Sequence, residues 1–270
     1  MNPFLISVPA AVIATGAVAA YGAVYPRAQL FGRTICRTNG PSKLAITFDD
    51  GPNPAITPQL LDLLDRYQAK ATFFVIGRYL RECPELVKET AARGHIVGNH
   101  TETHPNLFWR NQAQVTVELR LCHTAITNVL GAPPKWFRPP YGFRNPWVIS
   151  AAAALGCQTV MWTLIPGDWR EKPAEWLIER MNPIAVRAGK RKADPSAASR
   201  GGPRGAGRDD IYSVAAAGTG DILCLHDGYH RQQNYDRTRT LAALEHWLPR
   251  WRDAGLEFVT IEEAVKTPAT

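Results

Sequence analysis

Two adjacent carboxylates, Asp49 and Asp50, end an apolar segment of the chain. Residues 44–54 read LAITFDDGPNP, so the two acids lie where a buried strand meets a turn. Because successive side chains of a strand point to opposite faces, we expect the two acids to occupy different environments. Like charges this close raise each other's pKa, which favours a cation beside them. We therefore expect the pair to have two roles around one cation; the alternative is an ordinary Asp-Gly-Pro turn.

Two histidines further along the chain supply candidate metal ligands. His100 and His104 are four positions apart, on one face if this segment is helical. Two imidazoles and one carboxylate are a common ligand set for Zn²⁺ or a similar divalent ion, with positions left open for water and substrate. The His-Glu-x-x-His motif of zinc peptidases is an alternative, but Glu102 is two residues from each histidine and would point away from the metal. A pair of hydrogen-bonding loop histidines is the remaining alternative.

Polar residues of this kind follow strand-like segments that alternate with helical patterns. Strands are predicted at residues 44–48, 71–76, 95–98, 135–138, 159–164, 221–226 and 257–260. Helices are predicted to begin at Thr57 and at Cys83, and to cover residues 111–130, 145–156, 171–181 and 239–254. This alternation indicates a parallel α/β architecture. A barrel is favoured over an open sheet, because polar residues recur at the carboxyl ends of the strands and a barrel brings them to one mouth.

Five short motifs follow one another along the chain. They are Thr47–Pro52, His100–His104, Arg138–Gly142, Asp168-Trp169 and Leu225–Asp227. In order and approximate spacing they resemble the five motifs of the polysaccharide deacetylases, the NodB-homology group also called carbohydrate esterase family 4. The resemblance spans about residues 43–265. It implies a distorted (β/α)7-8 barrel with a single catalytic domain, and metal-dependent hydrolysis of N-acetyl groups on sugar polymers.

The same resemblance implies roles for individual residues. The metal, expected to be Zn²⁺ with Co²⁺ as an alternative, would be held by Asp50, His100 and His104. The catalytic residues would be Asp49, Arg138, Tyr141, Asp168 and His226. Among them Asp49 would be the general base, kept ionised by Arg138, and His226 the general acid, oriented by Asp168. The backbone N–H of Tyr141 would stabilise the oxyanion together with the metal. Substrate would be contacted by Pro139, Tyr141, Trp169 and Leu225.

Some residues depart from the pattern of the resembled family or match no part of it. Ile165 replaces an acid that the family often has before its Asp-Trp pair, and Cys224 replaces a leucine before the last motif; both positions would shape the substrate pocket. The histidines outside the motifs are predicted to be surface or packing residues: His95, His123, His230 and His246. Phe108 and Trp109 are expected either to stack on a sugar ring or to pack within the fold.

The N-terminal segment is predicted to target the chain to a membrane. Residues 4–25 are almost wholly apolar, and the first charged side chain is Arg27. This length can cross a bilayer; the alternative is a signal peptide cleaved near Ala17-Val18-Ala19. Residues 1–26 are therefore interpreted as a signal or anchor segment, and residues 27–42 as a linker. The sequence does not determine the orientation of this segment in the membrane. We expect a membrane-anchored or exported, extracytoplasmic protein.

Composition describes a globular domain with a local basic segment. Hydrophobic residues make up 45% and charged residues 20% of the chain, and the formal net charge is +7. Residues 187–218 alone carry a net charge of +4 and are of low complexity, so they are predicted to be a disordered insertion in a catalytic domain of residues 43–266. No nucleic-acid partner is predicted, and the sequence does not indicate an oligomeric state. The five cysteines have no paired spacing, so neither a disulfide framework nor a cysteine-based zinc site is expected.

The predicted activity is hydrolysis of N-acetyl groups on N-acetylhexosamine residues of a glycan. Peptidoglycan, chitin-like oligosaccharide and exopolysaccharide all remain open as substrates. Two alternatives are an O-acetyl carbohydrate esterase that uses the same site, and a catalytically silent barrel that binds glycan.

Overall fold

A single curled sheet of parallel strands forms the centre of the protein. The computed structural model describes residues 15–193 and 219–266. Its strands are β1 (Thr34–Ile35), β2 (Lys43–Gly51), β3 (Ala71–Val75), β4 (Ile96–Asn99), β5 (Trp136–Phe137), β6 (Gln158–Val160), β7 (Asp221–His226) and β8 (Glu257–Phe258). Their order across the sheet is β1-β6-β5-β4-β3-β2-β7, and β8 pairs with the start of β2.

The two ends of the sheet approach each other, which produces the barrel. The chain that continues from β6 bends toward β7, where Leu164 forms a parallel bridge with Leu223. Backbone hydrogen bonds from Thr163 N to Ile222 O and from Cys224 N to Leu164 O, both 2.9 Å, hold this contact. The predicted distorted α/β barrel is therefore confirmed, and the carboxyl ends of its strands open at one mouth.

Helices cover the outside of the sheet. They are α1 (described over residues 15–24), α2 (Thr57–Arg66), α3 (Gly77–Glu82), α4 (Pro84–Ala92), α5 (Gln112–Leu130), α6 (Pro146–Ala154), α7 (Ala174–Ala193), α8 (Thr238–Asp253) and α9 (Ile261–Val265). Local signals set several of their ends. Asn111 and Gln114 form a capping box at the start of α5, and Gly131 ends it in the left-handed conformation with φ of 73°.

The hydrophobic core lies mainly between the sheet and these helices. Every residue of β2 from Leu44 to Gly51 is buried, as is all of β3. Such uninterrupted burial is typical of parallel strands that are covered on both faces. Side chains that alternate with this layer point into the barrel, where Phe74, Trp136 and Trp162 belong to a second apolar cluster.

The structure corrects the sequence interpretation at the edges of the predicted domain. β1 lies inside the predicted linker 27–42, and it pairs with β6, so this segment is part of the sheet. Helix α7 continues to Ala193, so the chain is still helical over residues 187–193 of the predicted insertion. Arg187 of this helix pairs with the buried Asp221 at 3.1 Å. The rest of the predicted insertion, residues 194–218, lies outside the described residues.

The described part of the N-terminal segment packs on the domain. The buried guanidinium of Arg144 donates hydrogen bonds to the carbonyl groups of Gly22, Tyr25 and Pro26, at the end of α1. No helix within residues 15–193 and 219–266 has the length and apolar character needed to cross a membrane. Residues 1–14 of the predicted signal or anchor segment lie outside the described residues.

Candidate active site

The first carboxylate, Asp49, lies inside the barrel and contacts a buried arginine. Asp49 Oδ1 accepts a hydrogen bond of 2.8 Å from Arg138, whose side chain is fully buried. The same guanidinium donates to the Thr47 hydroxyl and to the carbonyl groups of Val160 and Met161. These contacts give the buried Arg138 guanidinium hydrogen-bond acceptors, and they place a positive charge beside the Asp49 carboxylate.

The second carboxylate, Asp50, reaches the same site because the backbone departs from strand geometry. Asp50 has φ of 71°, and the pairing of β2 with β3 shifts register between Asp49 and Gly51. The two acids therefore reach one site with different partners: Asp49 pairs with Arg138, while His100 Nε2 is 3.5 Å from Asp50 Oδ1 and 3.9 Å from Asp49 Oδ2. Gly51 follows because a Cβ there would overlap the buried Asp227 carboxylate.

A loop, and not a helix, brings the two histidines together. Thr101 and His104 both have left-handed backbone, with φ of 68° and 61°. The Asn99 side chain at the end of β4 accepts from Thr101 N and donates to the Leu119 carbonyl, which fixes the loop on α5. Glu102 points away from the histidines and pairs with Arg81. This geometry agrees with the argument against a zinc peptidase motif.

Asp50, His100 and His104 fit a divalent metal ion. His104 Nε2 is 3.1 Å and His100 Nε2 is 3.5 Å from Asp50 Oδ1, a buried oxygen with no hydrogen-bond partner among the described residues. Two atoms bound to one cation at about 2.1 Å lie about 3.0–3.4 Å apart, which is close to this spacing. His100 Nδ1 is 2.8 Å from the Arg138 carbonyl, so the hydrogen bond made there leaves Nε2 as the ligand atom.

Burial and neighbouring charges determine the ionisation of this group. Burial lowers the pKa of His104 to about 3, so the imidazole is neutral, as a metal ligand must be. Burial opposes ionisation of Asp50, but His104, His100 and His230 outweigh it and hold the Asp50 pKa well below its usual range. The set therefore offers an ionised Asp50 carboxylate and a neutral His104 imidazole.

A histidine–aspartate pair lies across the mouth from these residues. His226 Nδ1 is 2.8 Å from Asp168 Oδ1, and the His226 backbone N–H donates to Asp168 Oδ2 at 2.7 Å. Thr240 donates to the same carboxylate. Burial works against protonation of His226, but the Asp168 charge outweighs it, so the pKa of His226 is raised. The imidazole is thus suited to hold and deliver a proton.

One cavity connects the two groups. Its volume is about 250 Å³, and its lining is Asp49, Asp50, His100, His104, Tyr141, Gly142, Trp162, Ile165, Trp169, His226, Tyr229, His230 and Arg237. Trp169 packs edge-on against His226, with ring centroids 5.3 Å apart, and Tyr141 packs against His104 in the same way at 4.7 Å. Both aromatic rings are more than two-fifths exposed and face the entrance.

Two residues predicted to contact substrate lie elsewhere. Leu225 is fully buried in the core between sheet and helices, because it alternates with Cys224 and His226 on β7 and points outward. Pro139 is buried beneath the turn that carries Tyr141, and its carbonyl accepts from Gly142 N. Neither lines the cavity. The inward position of β7 is Cys224, whose thiol lies 3.4 Å from Asp49 Oδ2.

Sequence reasoning missed part of the lining. His230 was predicted to be a surface or packing residue, yet its ring stacks on His104 with centroids 4.3 Å apart. Trp162, Tyr229 and Arg237 also line the cavity without having been singled out. For Tyr229 and His230 a signal existed, because they come directly after the Leu-His-Asp motif.

Comparison with known proteins identifies the family of this chain. The sequence model of the polysaccharide deacetylase family matches residues 37–160. A peptidoglycan-N-acetylglucosamine deacetylase of Bacillus cereus is 35% identical over 84% of this chain and 90% of its own length. A chitooligosaccharide deacetylase of Bradyrhizobium is 31% identical over 81% of this chain and 89% of its own.

A solved structure extends the likeness to the fold. The family 4 carbohydrate esterase from Streptomyces lividans, determined in complex with acetate, superposes with a TM-score of 0.62 and 28% identity. The match covers 86% of this chain and 100% of that one. This chain belongs to the polysaccharide deacetylase family of hydrolases.

Proposed function

We propose that this protein removes acetyl groups from N-acetylhexosamine residues of a glycan, with a divalent metal held by Asp50, His100 and His104. The observation that carries the proposal is that one cavity joins these ligands, the Asp49 carboxylate and the His226 imidazole. Zn²⁺ suits one carboxylate and two imidazoles, and Co²⁺ accepts the same donors. When bound, such an ion would act as a Lewis acid and would lower the pKa of a water molecule toward about 7.

Asp49 is the proposed general base. It is buried, it lies within 4 Å of His100, and it keeps one oxygen, Oδ2, away from Arg138. The Arg138 guanidinium lies beside the other oxygen, Oδ1, and Oδ2 can take a proton from the water that attacks the acetamide carbonyl. The new bond joins that water oxygen to the carbonyl carbon.

His226 is the proposed general acid. The carbon–nitrogen bond breaks only if the nitrogen receives a proton, because an amine anion is a poor leaving group. Asp168 holds His226 by Nδ1 and raises its pKa, so Nε2 can carry the proton into the cavity. The products are acetate and the free amine of the sugar.

The proposed substrate is a polymer that lies outside the cavity and inserts one substituent. A volume of about 250 Å³ is below the roughly 300–1,000 Å³ of pockets that enclose a drug-sized molecule, so it fits an acetamido group and part of one sugar ring. Exposed Trp169 and Tyr141 at the entrance can pack against sugar faces. The relatives from Bacillus cereus and Bradyrhizobium support peptidoglycan and chitooligosaccharide as the two glycans to test first.

The test compares acetate release by the wild type and by Asp49→Asn. Both proteins are loaded with Zn²⁺, their metal content is measured, and they are given N-acetylchitooligosaccharides and peptidoglycan. The proposal predicts that the variant keeps its metal and loses about 10²–10⁴-fold in turnover. Wild-type protein that binds metal and releases no acetate from any N-acetylated glycan would favour the silent glycan-binding barrel instead.

A second candidate activity is O-acetyl ester hydrolysis at the same site, which the name of the Streptomyces lividans relative favours. An alkoxide leaving group depends less on protonation by a general acid than an amine does. His226→Ala should therefore lose far less ester activity than amide activity. Comparing a glycan amide with an acetylated sugar ester separates the two.

We also propose a membrane-anchored or exported, extracytoplasmic location, where such glycans lie. The apolar residues 4–25 support this placement. Fractionation of cells that express the full chain, with and without residues 1–14, tests it.

A further inference from the structure

A third imidazole faces the candidate metal ligands. His230 Nδ1 is 3.7 Å from Asp50 Oδ2, and the ring stacks on His104 with an interplanar angle of 20°. Ligand atoms of Asp50, His104 and His230 all lie within 4.8 Å of one another. The His230 side chain is 16% exposed, so it belongs to the wall of the cavity and not to the open surface.

Contacts from another element hold His230 in this place. Its backbone carbonyl accepts a hydrogen bond from the guanidinium of Arg78, on α3. Arg78 also contacts the Tyr79 hydroxyl, which in turn donates to the Tyr229 carbonyl at 3.2 Å. The loop after β7 is therefore tied to α3 at two consecutive residues, which holds in place the backbone that carries His230.

The two ring nitrogens of His230 have different partners. Nε2 lies 3.1 Å from the Tyr141 hydroxyl, and Nδ1 faces Asp50. Histidines that bind metals almost always give their other ring nitrogen to a hydrogen-bond partner, which sets the tautomer. Tyr141 offers His230 that partner, as the Arg138 carbonyl does for His100.

We propose that His230 is a further protein ligand of the metal, through Nδ1, beside Asp50, His100 and His104. The inference rests on the proposed function, because it requires the metal to bind at Asp50. It gives the site three imidazoles where the motif pattern gives two, and it assigns Tyr141 a supporting role through its hydroxyl. A contact of His230 with the sugar alone is the competing role.

Metal affinity tests this directly. Chelator-stripped full-length protein is titrated with Zn²⁺ against a chromophoric chelator, for the wild type, His230→Gln, His104→Gln and His246→Gln. Loss of a hydrogen bond to a metal ligand already lowers metal affinity about 10–100-fold, so loss of the His230 ligand in His230→Gln should lower Zn²⁺ affinity by at least the same factor. His246, on α8 and away from the cavity, is the matched control and should bind as the wild type does.

The outcomes separate the inference from the proposed function. Wild-type affinity in His230→Gln, combined with lost binding in His104→Gln, overturns the role of His230 and leaves the proposed function standing. Wild-type affinity in both variants overturns the proposed metal site itself. A raised KM in His230→Gln at unchanged Zn²⁺ affinity assigns His230 to the sugar and also overturns the inference.

X-ray absorption of the Zn²⁺-loaded wild type gives an answer that needs no variant to fold. The proposal predicts multiple-scattering intensity from three imidazoles, and two imidazoles would contradict it. In a separate measurement, the visible spectrum of the Co²⁺-loaded protein should differ between the wild type and His230→Gln, because the variant lacks the His230 imidazole as a ligand.

Discussion

In the part of the chain that the structure describes, four buried carboxylates lie at the mouth of the barrel, and their partners differ. Asp49 pairs with Arg138, Asp50 faces histidines, and Asp168 pairs with His226. Among the described residues, the side-chain partner of Asp227 is the Thr57 hydroxyl, and burial raises the Asp227 pKa to about 7. At the scale of the residue, an arginine or histidine partner therefore distinguishes the three acids assigned to the chemistry from Asp227, whose burial favours the neutral form.

Asp168→Asn should shift the pH dependence of turnover. The Asp168 charge raises the pKa of His226, and His226 must be protonated to act as the acid, so activity is lost as pH rises through that pKa. Removing the charge lowers the pKa, so the alkaline limb should move down by about 1 pH unit or more. The measurement is turnover of an N-acetylchitooligosaccharide from pH 6 to 10; an unmoved limb would contradict the assignment of His226.

The residues of the site were predictable where the signal is local. Residue type and spacing alone are enough to predict the Asp49-Asp50 pair at a strand end and the His100/His104 pair. The left-handed backbone at Asp50 was not predictable, because it depends on a register shift against β3. His230 was missed for a similar reason: α3 and Tyr141, both distant in sequence, place it at the metal ligands.

At the scale of elements, strand ends carry the site and helix ends position the loops between them. The seven predicted strands are present because their apolar segments are bounded by turns, and α5 and α6 begin at the side-chain caps Asn111 and Asn145. β1 and α3 were not predicted, because they depend on contacts with segments distant in sequence. β1 pairs with β6, and the first residues of α3 donate backbone hydrogen bonds to Thr101 and Glu102.

His95, at the start of β4, should make stability depend on pH. Its Nδ1 accepts a hydrogen bond from Ala71 N on β3, and burial lowers its pKa to about 4, with Lys70 and Arg93 adding to the effect. Between pH 6.5 and 4 the unfolded chain binds a proton that the folded protein does not, so stability falls as pH falls. The His95 contribution to this loss is about 3 kcal/mol.

The measurement is urea unfolding of metal-free wild type and His95→Gln at pH 7 and pH 5. The variant should lose less stability than the wild type on going from pH 7 to pH 5, by about 2 kcal/mol. Equal losses would show that His95 is protonated in the folded protein.

At the scale of the whole molecule, the buried Arg144 joins the described end of the N-terminal segment to the barrel. Arg144→Met should free the end of α1, because three carbonyl groups lose their charged donor. We expect a loss of about 2–4 kcal/mol in unfolding free energy and faster chymotrypsin cleavage at Tyr21 and Tyr25. Arg33→Met, at an exposed position between α1 and β1, is the control. Unchanged protection in Arg144→Met would contradict this role.

The central claim is that one metal ion, bound among Asp50 and its histidines, serves the deacetylation site. Its most direct test is acetate release from an N-acetylchitooligosaccharide while Zn²⁺ is added stepwise to chelator-stripped protein. The account predicts negligible release without metal and a linear rise that ends at about one Zn²⁺ per chain. Full activity in the stripped protein would contradict it.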